Sequence, residues 1–465
     1  MNKFIQKVKN IWVIEDLRKR ILNTLLFLLI FVLGTHVVLP GIDTSVLGEF
    51  YESGDGTNPI NLINQFTGGA FSKASIFALG VMPYITASIV IQLLGMAVPQ
   101  FQKLQKEGES GRKKLQTYTK LLTIVVTTFQ VQGYIGLYVI PSNAIVNSAG
   151  NYTTSPDMFW WITTTAIVVA STMFIMWLGE KITEKGIGNG VSLLITVGII
   201  GKLPEGLLAE FKYRVVDSAG GGRMLFLLLE MIGWFFVVLF TILIVKGIRK
   251  VPLEYPKQMI AGGAINKEQG GGRRYLPLKI AMAGVMPIIF AQAIMFLPQT
   301  LAGVDFFGDT TKGIFNKIAN PDDPLYNITT AILIIVFTYF YTAMIVNPRQ
   351  WAEDFKKQGA FIPGVKPGND TAEYIDGIMS KITFPGSLFL ALIAILPMFA
   401  RMVGIVSDFS YFFGGTSLLI MVSVVLDTLQ QVDSHLMMSH YDGLMKTGKV
   451  RGNASLSENS SVGMI

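Results

Sequence analysis

Apolar residues in this chain are gathered into long blocks, separated by polar connections rich in glycine and proline. Ten blocks read as spans: near 21–39, 74–97, 119–140, 158–178, 190–203, 224–246, 278–298, 327–346, 382–399 and 413–432. A bilayer core takes roughly 20 apolar residues in helical form, so the pattern predicts an all-α polytopic membrane protein with ten transmembrane helices. The fifth block is short and interrupted by Gly198 and Gly201. One stretch stands apart: residues 61–73, NLINQFTGGAFSK, form a stub with two glycines and several amides. A stub of that length cannot cross a bilayer.

Composition agrees with the blocks. Of 465 residues, 51% are hydrophobic and 15% charged, with a mean hydropathy of +0.49, whereas a soluble domain carries about a quarter charged residues. Cysteine is absent, which excludes disulfides, thiolate metal sites and cysteine nucleophiles. The three histidines, His36, His435 and His440, form no metal-ligand pattern with carboxylates, so no metal or cofactor is expected. The basic N-terminus runs into an apolar block with no small-residue cleavage site, so the first span is expected to be retained.

Charge sets the topology. With both termini on one side of the membrane, 30 of the 38 lysines and arginines fall on that side. The asymmetry places both termini in the cytoplasm. Two cytoplasmic loops, 246–279 and 347–381, exceed the usual connection length. Both mix aromatic and apolar residues with basic ones, as a docking surface for a polyanion such as ribosomal RNA would; anionic lipid headgroups are the simpler partner.

Within the spans the chemistry is sparse. Glu230 and Asp427 are the carboxylates there, and the lysines stand at the ends of their blocks, whereas a coupled transporter or proton pump needs ionisable groups near mid-membrane. A secondary transporter with inverted repeats is the alternative reading, lacking such a site. The stretch GIGNG at 186–190 follows a helix and lacks the Lys-Ser/Thr of a phosphate loop, which makes it a tight turn. Val81 and Ile85, Val191 and Ile195, and Val285 and Ile289 form i, i+4 aliphatic pairs, each sharing a helix face. Such pairs ordinarily mean packing.

The stretches SIFALGVMPYITASIVIQLL, KEGESGRKK at 106–114, MWLGEKITEKGIGNG at 176–190, FYTAMIVNPR at 340–349, GAFIPGVKPG at 359–368 and FGGTSLLI at 413–420 occur in order. Together they resemble the SecY family, channel subunits of the bacterial Sec protein translocon, over about residues 15–445. The resemblance implies two inverted halves of five spans, 21–203 and 224–432, around a central hourglass pore. They would be flanked by a cytoplasmic segment at 1–20 and a polar tail at 433–465. It implies a non-enzymatic channel in the bacterial plasma membrane that passes unfolded preproteins and releases transmembrane segments sideways into lipid.

The same resemblance assigns roles to residues. Val81, Ile85, Val191, Ile195, Ile289 and Ile420 match the pore ring, with Met286 one turn before Ile289. Asn61, Leu62, Ile63, Asn64, Gln65, Phe66, Thr67, Gly68, Gly69, Ala70 and Phe71 match a plug: a short helix with Leu62, Phe66 and Ala70 on its apolar face and amides that tolerate water. Gln92 and Ala281 fall on the lateral gate, where Ala281 stands in place of the family's common Asn. Arg249, Lys250, Arg273, Arg274, Lys356, Lys357 and Lys366 would dock the ribosome or the SecA motor ATPase. Lys366 stands where Arg is typical and cannot pair bidentately. SecE and SecG subunits, signal-bearing preproteins and anionic lipids complete the expected partners.

Overall fold

The computed structural model describes residues 12, 14–53, 64–146, 152–153, 156–216, 223–255, 273–280, 282–302, 317–318, 320 and 323–446. Within them the chain is mostly helical: α1 (Glu15–Gly34), α2 (Thr44–Ser53), α3 (Met82–Ala97), α4 (Pro99–Lys106), α5 (Glu109–Tyr134), α6 (Met158–Lys185), α7 (Gly190–Phe211) and α8 (Arg223–Val245) come first. A hairpin of β1 (Ile248–Glu254) and β2 (Arg273–Lys279) follows. Then come α9 (Met286–Ala302), α10 (Pro324–Ile345), α11 (Pro348–Lys357), α12 (Asn369–Met402), the single turn α13 (Ser407–Ser410) and α14 (Gly415–Lys446).

Among the described residues six stretches are long and apolar enough to cross a membrane: Met158–Lys185, Gly190–Val215, Met224–Val245, Pro324–Lys357, Asn369–Met402 and Gly415–Met437. The pair α3 and α4, bent by 99° at Pro99, makes a seventh if taken as one span. Of the remaining expected spans, α1 and α5 carry charged residues in their first turns and α9 is 17 residues long. Helix α5 also contains threonines that an apolar setting would penalise. Thr119, Thr123 and Thr127 donate to the carbonyls of Leu115, Thr119 and Thr123, at 2.9, 2.7 and 2.6 Å, so each hydroxyl is satisfied within its own helix.

The structure moves several sequence-derived boundaries. The block at 74–97 becomes helical at Met82; Pro83 stands in the first turn, and residues 71–81 are a run of turns. The block at 278–298 starts its helix at Met286, because residues up to Lys279 belong to β2. The short fifth block is the reverse case. Helix α7 continues through Gly198, Gly201 and Pro204 to Phe211, and a π-helical turn carries the chain on to Val216.

That extension brings charge into the protein. Glu210 of α7, Arg214 of the π-turn and Glu230 of α8 form a buried ion cluster, Arg214 pairing with both carboxylates. Arg214 also donates to the Gly404 carbonyl at 2.8 Å, and Glu210 accepts the Val406 N–H at 2.8 Å. The guanidinium thus offsets both buried carboxylates, while Glu230 Oε2 makes no hydrogen bond among the described residues. This explains Glu230, which the sequence shows as a lone carboxylate in a span.

The expectation of an all-α chain also needs correction. In β1 and β2, Val251, Leu253 and Leu278 point into a small apolar core shared with Val346, Ile362, Ile375 and Met379. Alternation of buried and exposed positions is what a strand requires, and the two prolines are tolerated because a two-stranded sheet has only edges. Glu254 and Phe361 exchange backbone bonds at 2.9 and 3.0 Å, joining the two long loops into one module. Lys279 anchors it to α14 through Gln430 at 3.4 Å and Asp427 at 3.9 Å.

The stretch GIGNG is the expected turn. Asn189 caps α7 by accepting the Ser192 N–H, and Gly190 N–H donates to Thr183 Oγ1 at 2.9 Å. Ile187 N–H reaches Thr24 of α1 at 3.1 Å and Gly188 N–H reaches Gln431 of α14 at 2.8 Å, so this turn ties three helices together.

Candidate functional site

The seven ring positions lie in four elements and up to 339 residues apart in sequence, yet they meet in one apolar cluster. Val81, Ile85, Ile195 and Ile420 are buried, and Val191, Met286 and Ile289 pack against them. The N-cap of α3 and the helix itself supply Val81 and Ile85, α7 the next two, α9 Met286 and Ile289, and α14 Ile420. Val81 is the residue preceding α3 and its carbonyl accepts the Ile85 N–H at 3.1 Å, so the pair stands on one turn.

What flanks the cluster differs on its two sides. On one lies a cavity of about 110 Å³, lined by Ser88, Gln92, Asn189 and Ser192 together with Ile85, Val191, Ile195, Met286 and Ile289. On the other lies the segment 64–74. Along α7 the order is clear: Asn189 to Ile195 face the cavity, while Gly198 and Lys202, one and two turns further, touch Gly68 and Gly69. The apolar cluster therefore lies between this cavity and the segment 64–74.

Among the described residues of this segment Asn64–Phe66 are helical, and from Thr67 the chain leaves the expected helix for successive turns, because Gly68 and Gly69 take φ of +65° and +88°. Phe66 and Ala70 join the waist cluster as expected, whereas Phe71 packs edge-on against Tyr134 and Tyr138. Asn61, Leu62 and Ile63 lie outside the described residues. Gln65 and Thr67 were expected to tolerate water, but both are buried. Gln65 accepts the Ser417 hydroxyl at 2.9 Å, and Thr67 donates to the Asn64 carbonyl at 3.3 Å.

Where α3 meets α10, Gln92 makes two hydrogen bonds: its Nε2 donates to Ser88 Oγ at 3.2 Å and its Oε1 accepts the Tyr341 hydroxyl at 3.4 Å. Tyr341 was missed in the sequence, where it reads as one of several aromatics in an apolar block. Its ring stacks edge-on to Phe290 of α9, so α3, α9 and α10 meet there. Ala281 lies outside the described residues.

The basic candidates gather on the hairpin module. Arg249 and Lys250 lie on β1, Arg273 and Arg274 open β2, Lys356 and Lys357 end α11, and Lys366 sits in the turn before α12. Arg249, Lys250, Arg274, Lys356, Lys357 and Lys366 are exposed. The Arg274 guanidinium lies 5.3 Å from the centre of the Tyr255 ring, which holds its charge outward. Tyr275 and Phe361 are exposed beside these charges.

The SecY family model matches residues 75–429. The chain belongs to the SecY family. The protein translocase subunit SecY of Haemophilus influenzae is 40% identical over 443 residues, covering 94% of this chain and 96% of that one. The corresponding subunit of Escherichia coli K12 is 39% identical over 444 residues, with the same coverage. Among solved structures, a protein conducting channel matches with a TM-score of 0.64 at 18% identity, over 94% of this chain and 95% of that one. Sec61 in the canine ribosome-channel complex from the endoplasmic reticulum matches with a TM-score of 0.60 at 17% identity, with equal coverage. SecY family members are protein translocase subunits and not enzymes, and this one is a multi-pass membrane protein.

Proposed function

We propose that this chain is the channel subunit of a Sec translocon in the bacterial plasma membrane, with ten spans in two halves of five and both termini cytoplasmic. The carrying observation is the waist: seven aliphatic or thioether side chains from α3, α7, α9 and α14 meet between a cavity and a folded-back segment. Such a neck makes a continuous water column unfavourable and repels hydrated ions, yet aliphatic side chains yield around a passing polypeptide of any sequence. Residues 61–73 act as the plug that fills the outer side. A related structure concerns the SecY plug domain as stabilising the closed state of the translocation channel and maintaining a membrane seal.

Sideways release runs through the seam where α3 meets α9 and α10. Gln92 and Tyr341 are its polar fastening. A nascent helix leaves there when lipid solvates it better than the vestibule does. The hairpin module docks the ribosome or the SecA motor, as the canine relative's complex with the ribosome supports. SecE and SecG stand beside the chain, and the driving energy comes from the docked partner.

The test is reconstitution of the chain with its small subunits in vesicles, followed by addition of a preprotein, SecA and ATP. Protease-protected preprotein inside the vesicles is the expected result. Protection no greater than in vesicles without the chain would overturn the reading.

A further inference from the structure

Besides the waist cluster, the segment 64–74 is held by contacts on two different helices. The first is a backbone approach. A Cβ on Gly198 would lie 2.9 Å from the Phe66 carbonyl oxygen and 3.1 Å from the Gly68 nitrogen, and a Cβ on Gly68 would lie 3.0 Å from Gly198 Cα. Distances near 3 Å leave no room for a side chain, so α7 presents a notch into which the segment's backbone drops. The second is the buried hydrogen bond from Ser417 of α14 to Gln65. Both partners are almost wholly buried, at 3% and 5% exposure.

The positions of these contacts relate to the waist. Gly198 stands three residues beyond Ile195 on α7, and Ser417 three residues before Ile420 on α14. Both therefore lie one helical turn from the ring, on the side the segment occupies. The hydrogen bond is also asymmetric. When the segment leaves, Ser417 retains the Tyr411 carbonyl at 3.4 Å as an acceptor, while Gln65 moves to where water can reach it. Leaving is thus inexpensive for the wild-type pair, and the bond can act as a catch.

We propose that the Gly198 notch and the Ser417 hydroxyl form the seat of the plug, and that the Ser417–Gln65 hydrogen bond sets how often the plug leaves it. This rests on the reading of residues 61–73 as a plug. Removing only the hydroxyl leaves the Gln65 amide buried without that donor in the seated state, a cost that shifts the ratio of unseated to seated plug about tenfold. Replacing both partners by apolar groups of similar shape removes that cost.

The experiment is resting ion conductance of the full channel complex in planar bilayers, without any polypeptide, for five proteins: wild type, a deletion of 61–73, Ser417→Ala, Gly198→Ala, and Ser417→Ala combined with Gln65→Leu. Expected are an increase for the deletion, about a tenfold increase for Ser417→Ala, an increase for Gly198→Ala, and a return towards wild type in the double variant. If the deletion increases conductance while Ser417→Ala and Gly198→Ala stay at wild-type values, the seat is overturned and the plug reading stands. A double variant as leaky as Ser417→Ala overturns the catch. A deletion without effect overturns the plug reading and the seat with it. Thermal unfolding of each variant in detergent separates these outcomes from misfolding, to which Ser417→Ala, a small truncation, is least exposed.

Discussion

At the residue scale, the waist is tuned by side-chain size. Two of its positions, Val81 and Val191, are one methylene smaller than the isoleucines around them. Enlarging both, as Val81→Ile with Val191→Ile, narrows the neck and lowers resting ion conductance in planar bilayers; unchanged conductance would show that the waist does not limit the leak. Arg214 is the residue on which burial depends most. Its side chain serves two buried carboxylates, so Arg214→Ala strands both and costs about 3–5 kcal/mol of stability, read as a lower unfolding midpoint in detergent. Gln92→Leu removes the acceptor of the Tyr341 hydroxyl. With its fastening gone the seam opens more readily, and the variant should insert a marginally hydrophobic test segment into lipid more often than wild type, measured by its glycosylation or protease pattern.

At the element scale, the hairpin and α11 matter more than their length suggests. Both were legible as long basic loops, but their strand character was not. The core of the module draws Val251, Leu253 and Leu278 from one loop and Val346, Ile362 and Ile375 from regions about a hundred residues away, and neither loop has an apolar face large enough to signal it alone. With this core in place, the exposed charges form one surface. Lys356→Glu with Lys357→Glu therefore weakens ribosome binding by about tenfold at low salt, and the difference shrinks as added salt screens the surface. Equal binding at low salt would remove these residues from the docking surface. The extension of α7 is a second lesson. Gly198 and Gly201 look like interruptions in the sequence, yet the helix passes through both, because the missing side chain at Gly198 admits another segment's backbone.

At the scale of the whole molecule, the design is a contrast of solvents. Helices such as α8 expose leucines and phenylalanines outward, while the aliphatic residues of α3, α7, α9 and α14 pack together in a buried cluster beside a cavity. Among the described residues the buried charges Glu210, Arg214 and Glu230 form one cluster, Arg214 pairing with both carboxylates and Glu210 also accepting a backbone N–H. Nothing in that arrangement binds a passing substrate strongly, which suits a conduit for many different polypeptides. Changing the chemistry of the waist while keeping its size should expose this: Ile195→Asn wets the neck and raises resting conductance well above that of Val81→Ile with Val191→Ile, in the same bilayer measurement.

The blocks of apolar residues determined by themselves that the chain is mostly helical and crosses a membrane several times, and the lopsided lysines and arginines carry the expectation that its basic loops share one side. Those properties follow from local transfer energies, which add along the chain and need no partner segment. The family resemblance named seven side chains that the structure gathers in one apolar cluster. Only the tertiary structure decided that residues 67–74 run in turns, that Gln65 is buried against Ser417, that Tyr341 fastens Gln92, and that Arg214 answers Glu230. Each of these is a contact between residues distant in sequence, whose energy depends on what another segment supplies at that point in space.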